Sequence, residues 1–437
     1  MCNESKAYPH VLIVAHEVIN TTTNVGKTLY QYFNGWPTDR LSELYFHSEV
    51  PTTHLSEQYF RITDFDVIKS LIPFYNPGTE YKSEHIQDDL QFARVDKGFQ
   101  SFVYQKGTKK KDWMFLGRNC LWGLGTWKTK KLDEWIKRIN PDVIFFPTSD
   151  YVFAYRIVEY LSKKYSLPVV VCVYDDYYFG QINKDTLLNK YNQRELKKHL
   201  KSVFDHAAFA LYNQPKMRAL YQQEFGLSSD VFYVYAECSD HEERNDGKFV
   251  ISYFGGLGLG RLDSIIEIGR AVEEVDADGD TQIYIYSAEK DKDVLQRINN
   301  TARLSFQGSV PAQEVLRLVK ESNVLLLPES FDPQYLGRIE YALSTKISEY
   351  LASNRCILAY GPRAAGTIGY LEENGVGCVA TDYDDMKEKL RELLGSAEKR
   401  KEYVAGQRFL AKQNHSYSRN HAVLKHAFLS ACKRKDY

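Results

Sequence analysis

Residues 249–261 read FVISYFGGLGLGR, an apolar run that breaks into four glycines and ends on an arginine. The unbroken apolar character of FVISYFG fits a parallel strand covered on both faces. The stretch from Asp263 to Glu274 repeats its apolar residues with the period of a helix. Between them, Gly255, Gly256, Gly258 and Gly260 let the backbone approach a ligand closely. The helix N-terminus that follows favours an anion through its exposed amides and its dipole. Arg261 could add a charge-assisted bond to a diphosphate. The alternative is a glycine-rich turn with a surface arginine. The spacing is not GxGxxG, which disfavours NAD.

Downstream the same alternation continues. TQIYIYSA (281–288), LSFQGSV (304–310), NVLLLPES (323–330) and CILAYGP (356–362) read as strands, each separated from the next by a segment of helical period. Five βα repeats predict a Rossmann-like domain over 249–416. Within it, LSTKISEYLAS (343–353) begins a helix for which Ser344 or Thr345 is the expected N-cap. Lys346 and Glu349, three apart, share one helical face. A cation at a helix N-terminus opposes the dipole, so Lys346 is better explained if a phosphate sits there too. Glu349 could accept bonds from a ribose diol or pair with Lys346.

Upstream, HVLIVAH (10–16), DVIFFPTS (142–149) and LPVVVCVYDD (167–176) predict parallel strands of a first domain over 1–237. A further strand is expected at VFYVYAE (231–237). Asp175 and Asp176 stand at a strand C-terminal end, where ligand-facing loops gather, or serve as strand-end caps. The polar stretch 238–248 reads as a linker, and 417–437 as a helix that could return to the first domain. NTTTNVGKTLYQY (20–32) contains VGKT, but a phosphate-binding P-loop needs a glycine where Thr21 stands. Three consecutive threonines make a poor phosphate cradle.

At 437 residues the chain exceeds one hydrophobic core, and two domains are expected. Lys and Arg number 56 against 57 Asp and Glu, which removes a global electrostatic argument for a nucleic-acid partner. The seven cysteines show neither CxxC nor Cys/His spacing, so no disulfide framework or zinc site is expected. No apolar run reaches membrane-spanning length and the N-terminus lacks a signal-peptide core, which predicts a cytoplasmic protein. In 106–131, lysine clusters bracket Trp113, Phe115, Leu116, Leu121, Trp122, Leu124 and Trp127. That composition suits an anionic membrane surface or, alternatively, an amphipathic helix packed inward.

FQGSVPAQEVLRLVKESNVLLLP followed by STKISEYLASNRCILAYGP resembles the C-terminal donor domain of family 4 glycosyltransferases with the GT-B fold, of the bacterial surface-polysaccharide type. The likeness is strongest over 250–385, and NTTTNVGKTLYQYFNGWPTDRL adds an N-terminal match. The resemblance implies an α/β protein of two Rossmann-like domains facing a cleft. It implies a retaining transferase (EC 2.4) that moves a sugar from a nucleotide diphosphate sugar to a glycan or lipid-linked acceptor, without a required metal.

By that resemblance Gly255, Gly256 and Arg261 hold the diphosphate with Lys346 beside it, Glu349 grips the ribose with Ser344 and Thr345 nearby, and Val310 meets the base. The loop around Asn24 and Gly26 approaches the diphosphate from the first domain, and Asp175 and Asp176 lie on the acceptor side. Arg261 and Lys346 are the expected catalytic groups. The family commonly carries a second glutamate eight positions before the ribose-binding one. Here that position is Tyr341, with Glu340 adjacent and Asp332 another candidate. DYD at 382–384 resembles a metal-binding motif but opens a helix, where carboxylates cap. A nucleotide-sugar epimerase of similar architecture and a non-catalytic nucleotide- or glycan-binding protein are the competing functions. Peripheral placement on the inner membrane face is expected if 106–131 is interfacial.

Overall fold

The computed structural model describes residues 8–22, 24–86, 112–180, 186–241 and 248–433. The chain divides into two compact units, one of Met1–Phe232 with His421–Tyr437 and the other of Tyr233–Asn420.

In the first unit the described strands are β1 (Val11–Ala15), β2 (Leu41–Tyr45), β3 (Gln58–Arg61), β4 (Thr79–Lys82), β5 (Val143–Pro147), β6 (Val169–Val173), β7 (Phe209–Tyr212) and β8 (Ser229–Val231). They form one sheet in the order β4-β3-β2-β1-β5-β6-β7-β8. Every pairing is parallel except β3 with β4. The apolar runs at 10–16, 142–149 and 167–176 are β1, β5 and β6, buried on both faces as their composition requires.

The strand expected at 231–237 is shorter than its apolar letters suggest. β8 ends at Val231. Beyond it the backbone bonds elsewhere: Tyr233 N donates to Asn420 Oδ1 at 2.9 Å and Ala236 N to the His415 carbonyl at 3.0 Å. The unit boundary accordingly falls at Phe232, before the polar stretch 238–248. The last helix, Tyr417–Lys433, is divided by the second boundary. Its Phe428 packs in the first unit against Phe33, Trp36 and Phe145 with ring centroids 5.3 to 6.2 Å apart.

Two further expectations are corrected in this unit. Asn24 and Gly26 lie in the first turn of the helix Asn24–Phe33 and not in a loop. A Cβ on Gly26 would sit 2.0 Å from Asn20 Nδ2 and 2.6 Å from the Val18 carbonyl, so the glycine of VGKT is explained by this packing. In the 106–131 segment, Trp122 and Trp127 are buried rather than interfacial. Trp122 Nε1 donates to Asp64 Oδ1 at 2.6 Å and its ring stacks on Phe153, while Trp127 Nε1 donates to the Trp122 carbonyl at 3.1 Å. Residues 106–111, with their lysines, lie outside the described residues.

In the second unit β9 (Val250–Phe254), β10 (Gln282–Tyr286), β11 (Leu304–Gly308), β12 (Val324–Pro328), β13 (Cys356–Tyr360) and β14 (Cys378–Ala380) form an all-parallel sheet in the order β11-β10-β9-β12-β13-β14. Ile251, Tyr253, Ile265, Ile268, Ile283, Leu326 and Leu358 are among the residues of its core. The strand order reverses between β9 and β12. In open α/β sheets a ligand crevice forms outside the carboxyl ends of the strands at such a switch point.

Candidate active site

Two chain segments leave the switch point side by side, the glycine loop after β9 and Glu329-Ser330 after β12. Gly255 has φ 148°, and a Cβ there would lie 2.0 Å from Lys346 Nζ. Gly260, at φ 72°, is the N-cap of the helix Arg261–Val275. A Cβ on it would meet Ser330 Oγ at 2.2 Å. These two positions require glycine both for torsion and for space. With glycine at the N-cap, no side chain of the cap covers the first-turn amides. A helix of 15 residues thus opens toward the crevice with its positive end.

Arg261 is the first residue of that helix. Its Nε and Nη2 each lie 3.2 Å from Glu329 Oε2. Glu329 is only 4% exposed. Its backbone carbonyl is fixed by Ser264 Oγ at 2.7 Å, and a Cβ on Gly361, just past β13, would press on its side chain at 2.9 Å. Burial raises its carboxyl above the usual carboxylate range, and the charges of Arg261 and then Lys346 pull it back.

Lys346 opens the helix Lys346–Ala352, with its ammonium 4.8 Å from the centre of the Tyr253 ring. The Tyr253 hydroxyl donates to the Gly256 carbonyl at 2.5 Å. Burial, then the Arg261 guanidinium, push the Lys346 ammonium down to about 8. Glu329 and then Glu349 pull it back up. The Arg261 and Lys346 cations repel each other, Glu329 and then Glu349 offset that repulsion only in part at Lys346, and a phosphate group would relieve it.

The structure brings Gly255, Gly256, Arg261 and Lys346 together. Glu349 follows in the first turn after Lys346, and Ser344 donates its N–H to Thr367 Oγ1 at 3.1 Å. The expected side-chain cap is not made. Thr345 occupies the N-cap position in helical conformation without a capping bond. Val310 lies two residues past β11, and the loops after β10 and β11 are joined by the Ser287 N–H on the Gly308 carbonyl at 2.9 Å. Phe254 and Tyr286 stack at the ends of β9 and β10, with centroids 4.8 Å apart.

Glu329 is the acid that sequence reasoning passed over. The position eight before Glu349 is Tyr341, and Asp332 caps the helix Pro333–Ile339 by accepting from Gln334 N at 2.9 Å. The available signal was its place, one residue beyond the strand NVLLLP at a carboxyl end. Asp382 likewise caps the helix Tyr383–Gly395, accepting from Asp385 N at 2.9 Å, while Asp384 meets Lys387 at 3.0 Å.

In the first unit, Asn24 and Gly26 belong to the helix after β1, where Gly26 N donates to Glu17 Oε2 at 3.4 Å. Asp175 is exposed beyond β6. Asp176 Oδ1 accepts from Tyr178 N, Phe179 N and the Tyr221 hydroxyl at 3.1, 2.9 and 2.9 Å. The first two bonds shape the turn after β6, and the third ties that turn to the helix Pro215–Phe225.

Comparison with solved structures identifies the architecture. HepE from Anabaena, in complex with UDP and glucose, superposes with a TM-score of 0.61 at 13% identity, over 97% of this chain and 100% of that one. TarM superposes at 0.60 with 9% identity, over 96% and 98% of the two chains. The chain has the GT-B fold. The E. coli trehalose-6-phosphate structure bound with UDP-2-fluoro glucose gives 0.57 at 11% identity over 97% and 99% of the two chains. A family model described as glycosyl transferase-like matches residues 269–425, a span that includes Glu329, Lys346 and Glu349 and begins after the glycine loop. No curated protein matches the sequence.

Proposed function

We propose that this GT-B protein is a hexosyltransferase that moves a sugar from a nucleoside diphosphate donor to a glycan or lipid-linked acceptor in cell-surface polysaccharide synthesis, with retention of anomeric configuration. The observation that carries the reading is the assembly of Gly255, Arg261, Lys346 and Glu329 at the switch point of the second unit. Its paired cations and open helix terminus suit a diphosphate leaving group. The glycosyl transferase-like match over 269–425 supports the reaction class, and the complexes of HepE and the E. coli protein make a uridine diphosphate sugar the donor to try first.

In this mechanism Glu329 fixes the Arg261 guanidinium, and Arg261 and Lys346 stabilise the negative charge that develops as the anomeric C–O bond to the diphosphate breaks. The acceptor hydroxyl attacks the anomeric carbon on the face the diphosphate leaves. Its proton passes to the departing phosphate oxygen. Glu349 would hold the ribose, and Val310 the base. Because side chains and a helix terminus meet the donor's charge, and Asp382 and Asp384 serve their own helix, no metal is required.

The test is donor turnover with a lipid-linked acceptor extract, with and without EDTA. Transfer should survive the chelator and fall by about 10²- to 10³-fold in kcat for Arg261→Ala. Loss of transfer in EDTA with recovery on manganese, together with an active Arg261→Ala protein, would overturn the mechanism. Conversion of the donor without any acceptor would point instead to an epimerase.

A further inference from the structure

Past the helix Asp64–Lys69 the first unit exposes six consecutive residues, LIPFYN at 71–76. Leu71 is 56% exposed, Ile72 60%, and Phe74, held at φ 69°, is fully exposed. Ser70 Oγ donates to Thr126 Oγ1 at 2.6 Å, which draws alongside the turn carrying Leu124, itself 63% exposed. A contiguous run of bare apolar side chains on a folded unit marks a contact surface.

The charge around this tip selects the occupant. No acidic residue occurs in 67–78 or 117–132, whereas those stretches contain Lys69, Arg118, Lys128, Lys130 and Lys131 in a chain of net charge −1. Arg118 pairs with Asp64 at 2.8 Å, while the lysines rim the tip. Lys69 stands 5.6 Å from the centre of the Tyr75 ring, Lys131 donates to the Gly78 carbonyl at 2.7 Å, and Lys128 and Lys130 are exposed. Of the acids on flanking elements, Asp66 is engaged by the Tyr75 hydroxyl at 2.7 Å, Glu80 by Arg138 and Asp133 by Lys164 at 2.6 Å, while Glu134 is exposed on the helix Lys130–Ile139. Apolar side chains ringed by lysines can enter a bilayer at headgroup depth while the ammonium groups meet lipid phosphates. A second copy of the same tip would set one lysine rim against another, which like charge opposes.

We infer that the tip formed by Leu71, Ile72, Phe74 and Leu124 docks the first unit on an anionic lipid surface. The inference stands apart from the reaction proposed above. It keeps Leu124, Lys128, Lys130 and Lys131 of the 106–131 segment but moves the apolar contact from Trp122 and Trp127, which are buried, chiefly to Leu71, Ile72 and Phe74.

The test is flotation of the full chain with vesicles of phosphatidylcholine alone or mixed with phosphatidylglycerol. The chain should float with the anionic vesicles only, and less as salt is raised. Ile72→Ser with Phe74→Ser should lower partitioning tenfold or more, and Lys128→Gln with Lys130→Gln roughly fivefold for each lysine. Melting temperatures should be unchanged because these side chains are exposed. No flotation with anionic vesicles, equal flotation with both, or flotation unaffected by Ile72→Ser with Phe74→Ser would overturn the proposal. So would a lipid-free dimer that the same double substitution dissolves, since that assigns the tip to a second copy.

Discussion

Lys346 is held in an electrostatic environment that an anion would relieve. Its ammonium is desolvated and faces a guanidinium, and Glu329 and then Glu349 offset those costs only in part. A diphosphate placed against it would raise its proton affinity above the unliganded value of about 8. The linkage then has one sign. Below pH 8 the lysine is protonated with and without ligand, and binding is at full strength. As pH rises from 8 through the raised bound value, free protein loses the proton that the complex retains, and affinity falls by up to tenfold per pH unit. Titrations of UDP into wild type and Lys346→Gln between pH 7 and about pH 10 should show that decline in wild type and a flatter profile in the variant. Identical profiles would remove Lys346 from the diphosphate. At this scale the sequence disclosed the cations but not their partner. Arg261 and Lys346 announce themselves by standing beside glycines or at a helix start, whereas a glutamate after an apolar strand looks like an ordinary solvent-facing residue until the fold buries it.

The glycine loop and the two helices it serves are the elements that place these groups. Gly255 matters because Lys346 Nζ occupies the space a Cβ would take. Gly255→Ala should therefore displace the lysine and weaken UDP binding by about tenfold, with a stability loss of about 1 kcal/mol from the unfavourable torsion. Calorimetry and thermal melting separate the two effects. Unchanged affinity would show that the lysine need not sit against the loop. The strand–loop–helix unit was legible because an unbroken apolar run, a glycine cluster and a helical period follow one another within 26 residues, 249–274. β2 was not, since LSELY carries Ser42 and Glu43 into the interior. Burial raises the Glu43 carboxyl to about 7, and bonds from Ile19 N at 2.9 Å and Ser56 Oγ at 2.6 Å partly offset that cost. No pattern of hydrophobicity exposes such a strand. The same limit applied to Gly26, whose role depends on Asn20, six residues earlier, folding back over it.

For the whole molecule, two parallel sheets were readable from continuous apolar runs, and the switch point of the second follows from its strand order. The division of the chain was less readable. Tyr233 and Asn420, 187 residues apart, bond to each other where the second unit begins and ends, and only the folded chain brings them together. The central claim is that the second unit holds a donor diphosphate between Arg261, Lys346 and the glycine loop. Calorimetric titration of UDP and uridine tests it most directly, because the ligands differ only in the diphosphate. Bonds to charged groups contribute about 1.5–3 kcal/mol each. UDP should therefore bind wild type at least tenfold tighter than uridine, and that advantage should disappear in Arg261→Ala with Lys346→Met. Equal affinity for UDP and uridine in wild type, or a UDP advantage that survives the double substitution, would contradict the account.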